Sequence, residues 1–321
     1  MNVHLTFDIE VWCDGWDSLD ATFPASFERY VYAKSAHGSY ALPKTLEILE
    51  RHGLTGVFFV EPLFAARFGL EYLRTVVDLI RVAGHSVQLH LHPEWVDEIR
   101  PALIANNTTK RQHLTYYTVQ EQTALIACGR SMLEQAGSGP ISAFRAGSFA
   151  ANCDTFEALR RNGILIDSSL NSCYSVSGAD IRGEHAMDAP FSIRGVRTYP
   201  VTVFSDGFGR SRPAHIGACS FAEMRDAMRN AAQSGASDFV VVSHNFEMLK
   251  PGGVQPSGIV VRRFQQLCAY LALHRLELPV TGFKACAESS PSAMGLAVKP
   301  VSVTVRSTVQ RHLEQLLCRI G

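Results

Sequence analysis

Apolar positions along this chain fall into two repeating patterns. Short runs that alternate or stay apolar fit strands, and stretches with apolar residues every three or four positions fit helices. The first pattern predicts strands at 3–9, 56–60, 86–92, 142–145, 164–167, 198–204 and 238–243. The second predicts helices at 43–52, 72–82, 118–135, 154–161, 220–232 and 260–273. Gly53, Gly84 and Gly163 follow three of these helices, where C-terminal caps fall. Thr118 with Glu121, and Ser220 with Glu223, have the spacing of a capping box. The strand at 238–243 is continuously apolar after its first residue, as in a strand buried on both faces. From 168 to 195 the chain is polar and shows no period.

Repeated strand–helix alternation implies an α/β fold with a parallel sheet and helices outside it. A doubly wound open sheet and a closed barrel both fit. There is no Gly-rich phosphate loop after the first strand and no GxGxxG, which counts against nucleotide-binding versions. Residues 289–299 read as a linker, followed by a strand at 301–305 and an amphipathic stretch to Ile320. Two segments follow: a main domain at 1–288 and a C-terminal appendage at 289–321. The appendage's apolar face suits packing on the main domain, dimerisation or a membrane surface.

Composition narrows the function classes. The chain has 321 residues, 46% of them hydrophobic, enough to bury a large core. Thirty Lys and Arg balance thirty Asp and Glu, so no electrostatic footprint for nucleic acid is expected. No run is long enough for a membrane span. The first residues read as a strand rather than a secretion signal, so a cytoplasmic chain is expected. The eight cysteines are scattered without a CxxC pair, which fits free thiols in a reducing compartment. Asn106 and Asn107 each open an N-x-Thr triplet, read here as polar loop.

Candidate chemistry sits at the ends of strands. The first ends Asp8-Ile9-Glu10, the third His90-Leu91-His92, the fourth Arg145-Ala146-Gly147 and the last Ser243-His244-Asn245. The C-terminal ends of parallel strands are where α/β folds place active sites. Residues two apart on a strand share a face, so His90 pairs with His92 and Asp8 with Glu10. Two imidazoles and a carboxylate make a three-ligand divalent site with an open position for water, favouring zinc, with cobalt, nickel or manganese as alternatives. Arg145 leaves an apolar strand and needs an anion, either Asp8 or a substrate. His244 at a strand tip suits a general acid.

Four ordered segments resemble the motifs of the polysaccharide deacetylases, the chitooligosaccharide deacetylase homology group of carbohydrate esterase family 4. They are Thr6-Phe7-Asp8, Gly84-His85-Ser86-Val87-Gln88-Leu89-His90, Phe144-Arg145-Ala146-Gly147 and Val242-Ser243-His244. The resemblance spans roughly 1–285. It implies a distorted (β/α)7 barrel that removes acetyl groups from N-acetylated sugars with a divalent metal, most often zinc (Zn2+). Position by position it implies Asp8 as catalytic base, His90 as a metal ligand, Arg145 as the group orienting the base and His244 as general acid. The chain departs from the common pattern in three places. Ile9 replaces the usual metal-binding aspartate, so Glu10 is assigned to the metal, with Asp8 as a further co-ligand. The second histidine is His92, two after His90, while position 94 is Glu94, a competing ligand. The usual fourth motif has no counterpart, so the partner that tunes His244 is left open.

The implied reaction is metal-assisted hydrolysis of an N-acyl, first of all N-acetyl, group on an amino sugar in polysaccharide or glycolipid biosynthesis. Trp12, Trp16, Trp95 and Phe149 follow the strand ends; core or loop packing is the first reading of each, and a sugar-stacking face is the alternative. The alternatives are an amidase or deformylase on a small metabolite, and a non-catalytic sugar-binding barrel. The expected partner is a saccharide substrate, with no nucleic acid.

Overall fold

The computed structural model describes residues 1–105, 107–174, 189–284 and 301–320. In chain order its principal strands are β1 (Asn2–Ile9), β2 (Val57–Val60), β3 (Ser86–Leu91), β4 (Ala143–Ala146), β5 (Ile166–Asp167), β6 (Phe191–Ile193), β7 (Val196–Thr198), β8 (Val203–Ser205), β9 (Ser211–Pro213) and β10 (Asp238–His244). Its principal helices are α1 (Leu19–Phe27), α2 (Leu42–Arg51), α3 (Leu70–Val82), α4 (Val119–Gln135), α5 (Cys153–Arg161), α6 (Phe221–Gln233), α7 (Gly258–Leu273) and α8 (Val305–Ile320). Parallel strands alternating with helices make this an α/β protein. The chain divides into two compact units, one of Met1–Gly56, Thr202–Thr281 and Val298–Gly321, the other of Val57–Val201 and Gly282–Ala297.

In the first unit β1 and β10 pair in parallel, in register from Asn2 with Asp238 to Asp8 with His244. Val3, Leu5 and Phe7 alternate with His4 and Thr6, yet all five are buried. The two polar residues are satisfied: His4 meets Asp238 Oδ1 and the Thr281 carbonyl, each at 2.9 Å, and Thr6 Oγ1 donates to the Val241 carbonyl at 2.6 Å. The capping box expected at Ser220 and Glu223 opens α6. The last helix, α8, docks on α6 through a buried guanidinium. Arg311 gives Nε to Glu223 Oε1 at 2.9 Å and Nη2 to Asp206 Oδ2 at 3.2 Å. Arg263 of α7 adds Nε to Glu314 Oε2 at 2.7 Å and Nη1 to the Gly217 carbonyl at 3.0 Å. The domain boundary expected at 288/289 lies outside the described residues. The strand expected at 301–305 is reduced to a single bridge between Ser205 and Ser302.

In the second unit β2, β3, β4, β5 and β7 run parallel in that order, and β6 pairs antiparallel with β7. Both α4 and α5 start on capping boxes, Thr118 with Glu121 and Asn152 with Thr155. One expected element is corrected. The strand predicted at 198–204 is split into β7 and β8, which belong to different units. Pro200 lies between them, and a proline has no N–H to give a ladder. The polar stretch at 168–195 contains β6, and its residues 175–188 lie outside the described part. Helix α1, with Pro24 inside it, was not predicted.

Candidate active site

Each unit brings three of the six candidate residues together. In the first, Asp8 and Glu10 leave the end of β1, both buried. Asn245 fixes that end: its N–H donates to the Asp8 carbonyl at 3.2 Å, its Oδ1 accepts the Glu10 N–H at 3.1 Å and its Nδ2 donates to the Glu10 carbonyl at 3.0 Å. The Glu10 carboxylate accepts Trp12 Nε1–H at 2.6 Å. His244 is the register partner of Asp8.

The partner of His244, left open by the sequence, is Glu247. Its Oε2 lies 3.0 Å from His244 Nδ1 and also 3.0 Å from His215 Nε2. His215 Nδ1 accepts the Ala218 N–H at 3.2 Å, which puts its ring proton on Nε2, facing Glu247. One carboxylate thus joins two imidazoles. Gly217 makes room for it, because a Cβ there would lie 2.2 Å from Glu247 Oε1. Burial alone would pull the His244 pKa down. The hydrogen bond His244 donates to Glu247 and the charges of Glu10, Asp8 and Glu247 outweigh burial and push it up to about 9. Burial opposes ionisation of Glu247, but His215 and His244 hold its pKa well below the usual carboxylate range. His244 is therefore an imidazolium at neutral pH, the form a proton donor needs.

The second unit holds His90, His92 and Arg145. β3 and β4 set His90 beside Arg145 in register. His90 Nδ1 lies 2.8 Å from the Arg145 carbonyl, and His92 Nδ1 lies 3.3 Å from Glu94 Oε2. An acceptor at Nδ1 places the proton there and the lone pair on Nε2, the arrangement of metal-binding histidines. The two rings sit edge to face with centroids 4.8 Å apart. Gly147 permits this, because a Cβ there would lie 2.7 Å from His92 Nδ1 and Cε1. The donor chemistry of this pair fits a divalent ion, and Glu94 serves as an orienting partner of His92.

Arg145 is fully buried. Its Nε donates to the Ser168 carbonyl at 3.0 Å and its Nη2 to Ser168 Oγ at 2.9 Å, and its guanidinium lies 4.4 Å from the centre of the Phe59 ring. Near it, buried Asp167 accepts the Ser169 hydroxyl and N–H. Burial raises the Asp167 pKa to about 6 against the pull of Ser169 and Arg145.

Sequence reading missed Glu61, His215, Glu247 and Asp167. Glu61 follows β2, is fully enclosed and accepts the N–H groups of Leu63 and Phe64 at 2.9 and 3.3 Å. Burial pushes its pKa up to about 8 despite those bonds and the nearby His92. Glu61 and Asp167 both close apolar strand runs, the same signal that marked Asp8. Glu247 stands three residues after His244, within reach across one turn. His215 has no such local signal. Of the four aromatics, Trp95 is 1% exposed and meets Phe68 edge-on, so it is core, the first of its two readings. The 3-10 turn over Pro93–Glu98 rotates it inward. Trp12 and Trp16 meet edge-on at 6.2 Å and Phe149 stacks on Tyr174 at 5.4 Å, each of these aromatics half-buried or exposed.

No family model matches the sequence, and no curated protein matches it. Solved structures do. A protein assigned as a polysaccharide deacetylase from Mycobacterium smegmatis is 18% identical, covers 89% of this chain and 94% of its own, and superposes with a TM-score of 0.52. A family 4 carbohydrate esterase from Streptomyces lividans, in complex with acetate, is 14% identical over 88% of this chain and 93% of its own, with a TM-score of 0.41. A family 4 pseudoenzyme from Bacillus anthracis is 12% identical over 85% of this chain and 61% of its own, with a TM-score of 0.39. The first of these likenesses establishes the fold: this chain has the α/β fold of the polysaccharide deacetylases, in line with the (β/α)7 barrel expected from its motifs.

Proposed function

We propose that this chain is a metal-dependent hydrolase that removes an N-acyl group, first of all N-acetyl, from an amino sugar during polysaccharide or glycolipid assembly. The observation that carries this reading is the pairing of Asp8 with His244 across β1 and β10, with His244 held protonated by Glu247. Amide hydrolysis needs a base for water and an acid for the departing amine, and this pair supplies both.

The proposed ligands of the divalent ion are Glu10, His90 and His92, with zinc the first candidate. Such an ion, when bound, polarises the acyl oxygen and makes water more acidic. Asp8 takes the proton from water as its oxygen attacks the acyl carbon. Arg145, assigned from its motif, keeps Asp8 ionised and oriented. As the C–N bond breaks, His244 gives its proton to the nitrogen, and the products are a free amino sugar and an acyl carboxylate. Asp8 then releases the proton it took from water and the imidazole recovers one from the medium, while Glu247 holds the ring in place. Among the described residues Cys128, Cys153, Cys219 and Cys268 are free thiols. That supports a reducing, cytoplasmic setting. Among the described residues no helix is long and apolar enough to cross a membrane.

Asp8→Asn tests the reading. A general base contributes on the order of 10²–10⁴ in rate. The variant should lose acetate release from N-acetylated amino sugars by about that factor while elemental analysis finds its metal retained. Full activity in the variant would remove Asp8 from the mechanism. A wild-type protein that holds no metal and turns over no N-acylated sugar would be a sugar-binding barrel instead.

A further inference from the structure

The last helix of the first unit, α8, has its two faces reversed. A surface helix ordinarily turns its apolar stripe to the core and its polar face to water. Here the inward face carries Ser307, Thr308 and Arg311, all buried, and the outward face carries Val305, Val309, Leu313 and Leu316, each between 41% and 57% exposed. Polar bonds hold the inward face. Besides the Arg311 pairs, Thr308 Oγ1 accepts the Gly207 N–H at 2.9 Å. At about 100° per residue the four apolar side chains fall within an arc of roughly 80°, bordered by Arg306 on one side and His312 on the other. The apolar surface continues onto the hairpin of β8 and β9. Gly207 lets the hairpin tip close on the start of α8, because a Cβ there would lie 2.4 Å from Val305 Cα. Phe208 follows at the tip, 56% exposed, its ring centre 6.2 Å from that of His312.

A contiguous exposed apolar surface with a polar rim marks an interaction face. The charges around this one identify its occupant. The hairpin, α6 and α8 carry four carboxylates, and an arginine holds each: Arg212 and Arg311 hold Asp206, Arg311 holds Glu223, Arg225 holds Asp226 and Arg263 holds Glu314. Arg210 on the hairpin and Arg306 on α8 are exposed, and among the described residues no carboxylate pairs with either. The rim is therefore cationic. In a twofold pair the same patch meets itself, so two cationic rims would meet with no unpaired carboxylate on either side. An anionic lipid surface satisfies both the stripe and the rim. We propose that α8 and the Phe208 hairpin form a membrane-docking face for anionic lipid. Val305, Val309, Leu313, Leu316 and Phe208 enter the headgroup boundary, and Arg210 and Arg306 meet lipid phosphates. The helix has 16 residues, short of the about 20 that span a bilayer, so it lies on the surface. Of the three uses its sequence suits, α8 thus serves two: its polar face packs on the first unit and its apolar face meets the membrane. This goes beyond the deacylase reading and does not depend on it.

The experiment is co-sedimentation of the full chain with vesicles of phosphatidylcholine alone and of equal parts phosphatidylcholine and phosphatidylglycerol. An arginine close to an anionic surface strengthens binding about fivefold, so two should make binding to the mixed vesicles roughly 25-fold tighter than to the neutral ones. The double variant Arg210→Gln, Arg306→Gln should lose most of that gain. The double variant Leu313→Gln, Leu316→Gln removes apolar area from the stripe and should bind the mixed vesicles at least about tenfold more weakly. Val82→Gln, at a position 89% exposed on α3 of the second unit, should bind as the wild type does. All the substituted side chains are exposed, and an unshifted urea midpoint checks that each variant folds. Should the leucine variant not fold, the arginine variant decides alone. Equal binding to the two kinds of vesicle overturns the proposal, as does binding that either folded double variant leaves unchanged. Light scattering reads the rival occupant. A chain that is dimeric in solution, monomeric in the leucine variant and bound to neither vesicle has a second copy on the stripe, and the membrane face is refuted. Binding is measured without substrate, so a protein that docks on anionic vesicles but deacylates nothing refutes the deacylase reading alone.

Discussion

Glu247→Gln keeps the shape of the side chain and removes its charge, so it isolates what holds the proton on His244. In the wild type the His244 pKa stands at about 9, and about 99% of the imidazole is protonated at pH 7. An opposite charge within hydrogen-bonding distance moves a pKa by about 1–3. Losing it should bring His244 down to roughly 6–8, the upper end being expected because Asp8 and Glu10 still face it. At pH 8 the protonated fraction would then fall from about 90% to about half or less. Two assays read this. An NMR titration of the His244 ring in metal-free protein gives the midpoint without any substrate. The pH profile of kcat/KM for deacylation should show its alkaline limb moving to lower pH by the same amount. A midpoint that stays within about 0.5 of the wild type would refute the assignment of Glu247. Stability carries the same sign. The folded pKa lies above the ordinary 6.5, so the stabilisation is complete below that pH and is lost as pH rises through about 9. Glu247→Gln should flatten that loss.

Two further substitutions probe the supports. Gly147→Ala would set a Cβ 2.7 Å from the His92 ring, so the ring must shift. Displacing a ligand's support costs about 10–100-fold in metal affinity, and chelator competition showing unchanged affinity would refute the tight fit. Arg311→Met leaves buried Glu223 without its guanidinium, while Asp206 keeps Arg212. Breaking a buried pair costs about 3–5 kcal/mol, with the lower end expected here. Urea unfolding that shows a loss below about 1 kcal/mol would mean the network contributes little.

The strand–helix alternation was legible because each core strand is a short apolar run bounded by polar residues. The capping boxes at Thr118 and Ser220 were legible because both partners sit within four residues. What escaped was non-local or locally contradictory. Pro200 stands inside an otherwise strand-like run and ends it, which a period alone does not weigh. Helix α1 carries Pro24 and a polar approach through Asp14 and Asp17, so its pattern is diluted. At the site, the residues closing strands could be read because a polar group after an apolar run is conspicuous. Ser168 and Ser169 opened a polar stretch that looked solvated, yet both are fully buried around Arg145 and Asp167. His215 acquires meaning only through Glu247, more than thirty positions away, and no local signal can supply that. For Trp95 sequence could rank core packing over a stacking face but not decide it, because position after a strand says nothing of which way a 3-10 turn rotates a side chain.

The C-terminal helix has a consequence for handling this protein. Glu314 grips Arg263, Arg263 grips the Gly217 carbonyl, and Gly217 is the bare position against which Glu247 lies. A segment that reads in sequence as a C-terminal appendage is therefore the outer brace of the His244–Glu247 pair. Cutting the chain before α8 would leave Arg263, only 5% exposed, holding that turn without its counter-ion. Trimming for convenience would thus act as a remote mutation of the candidate site, loosening Glu247 against His244 while every residue of the site remains in place.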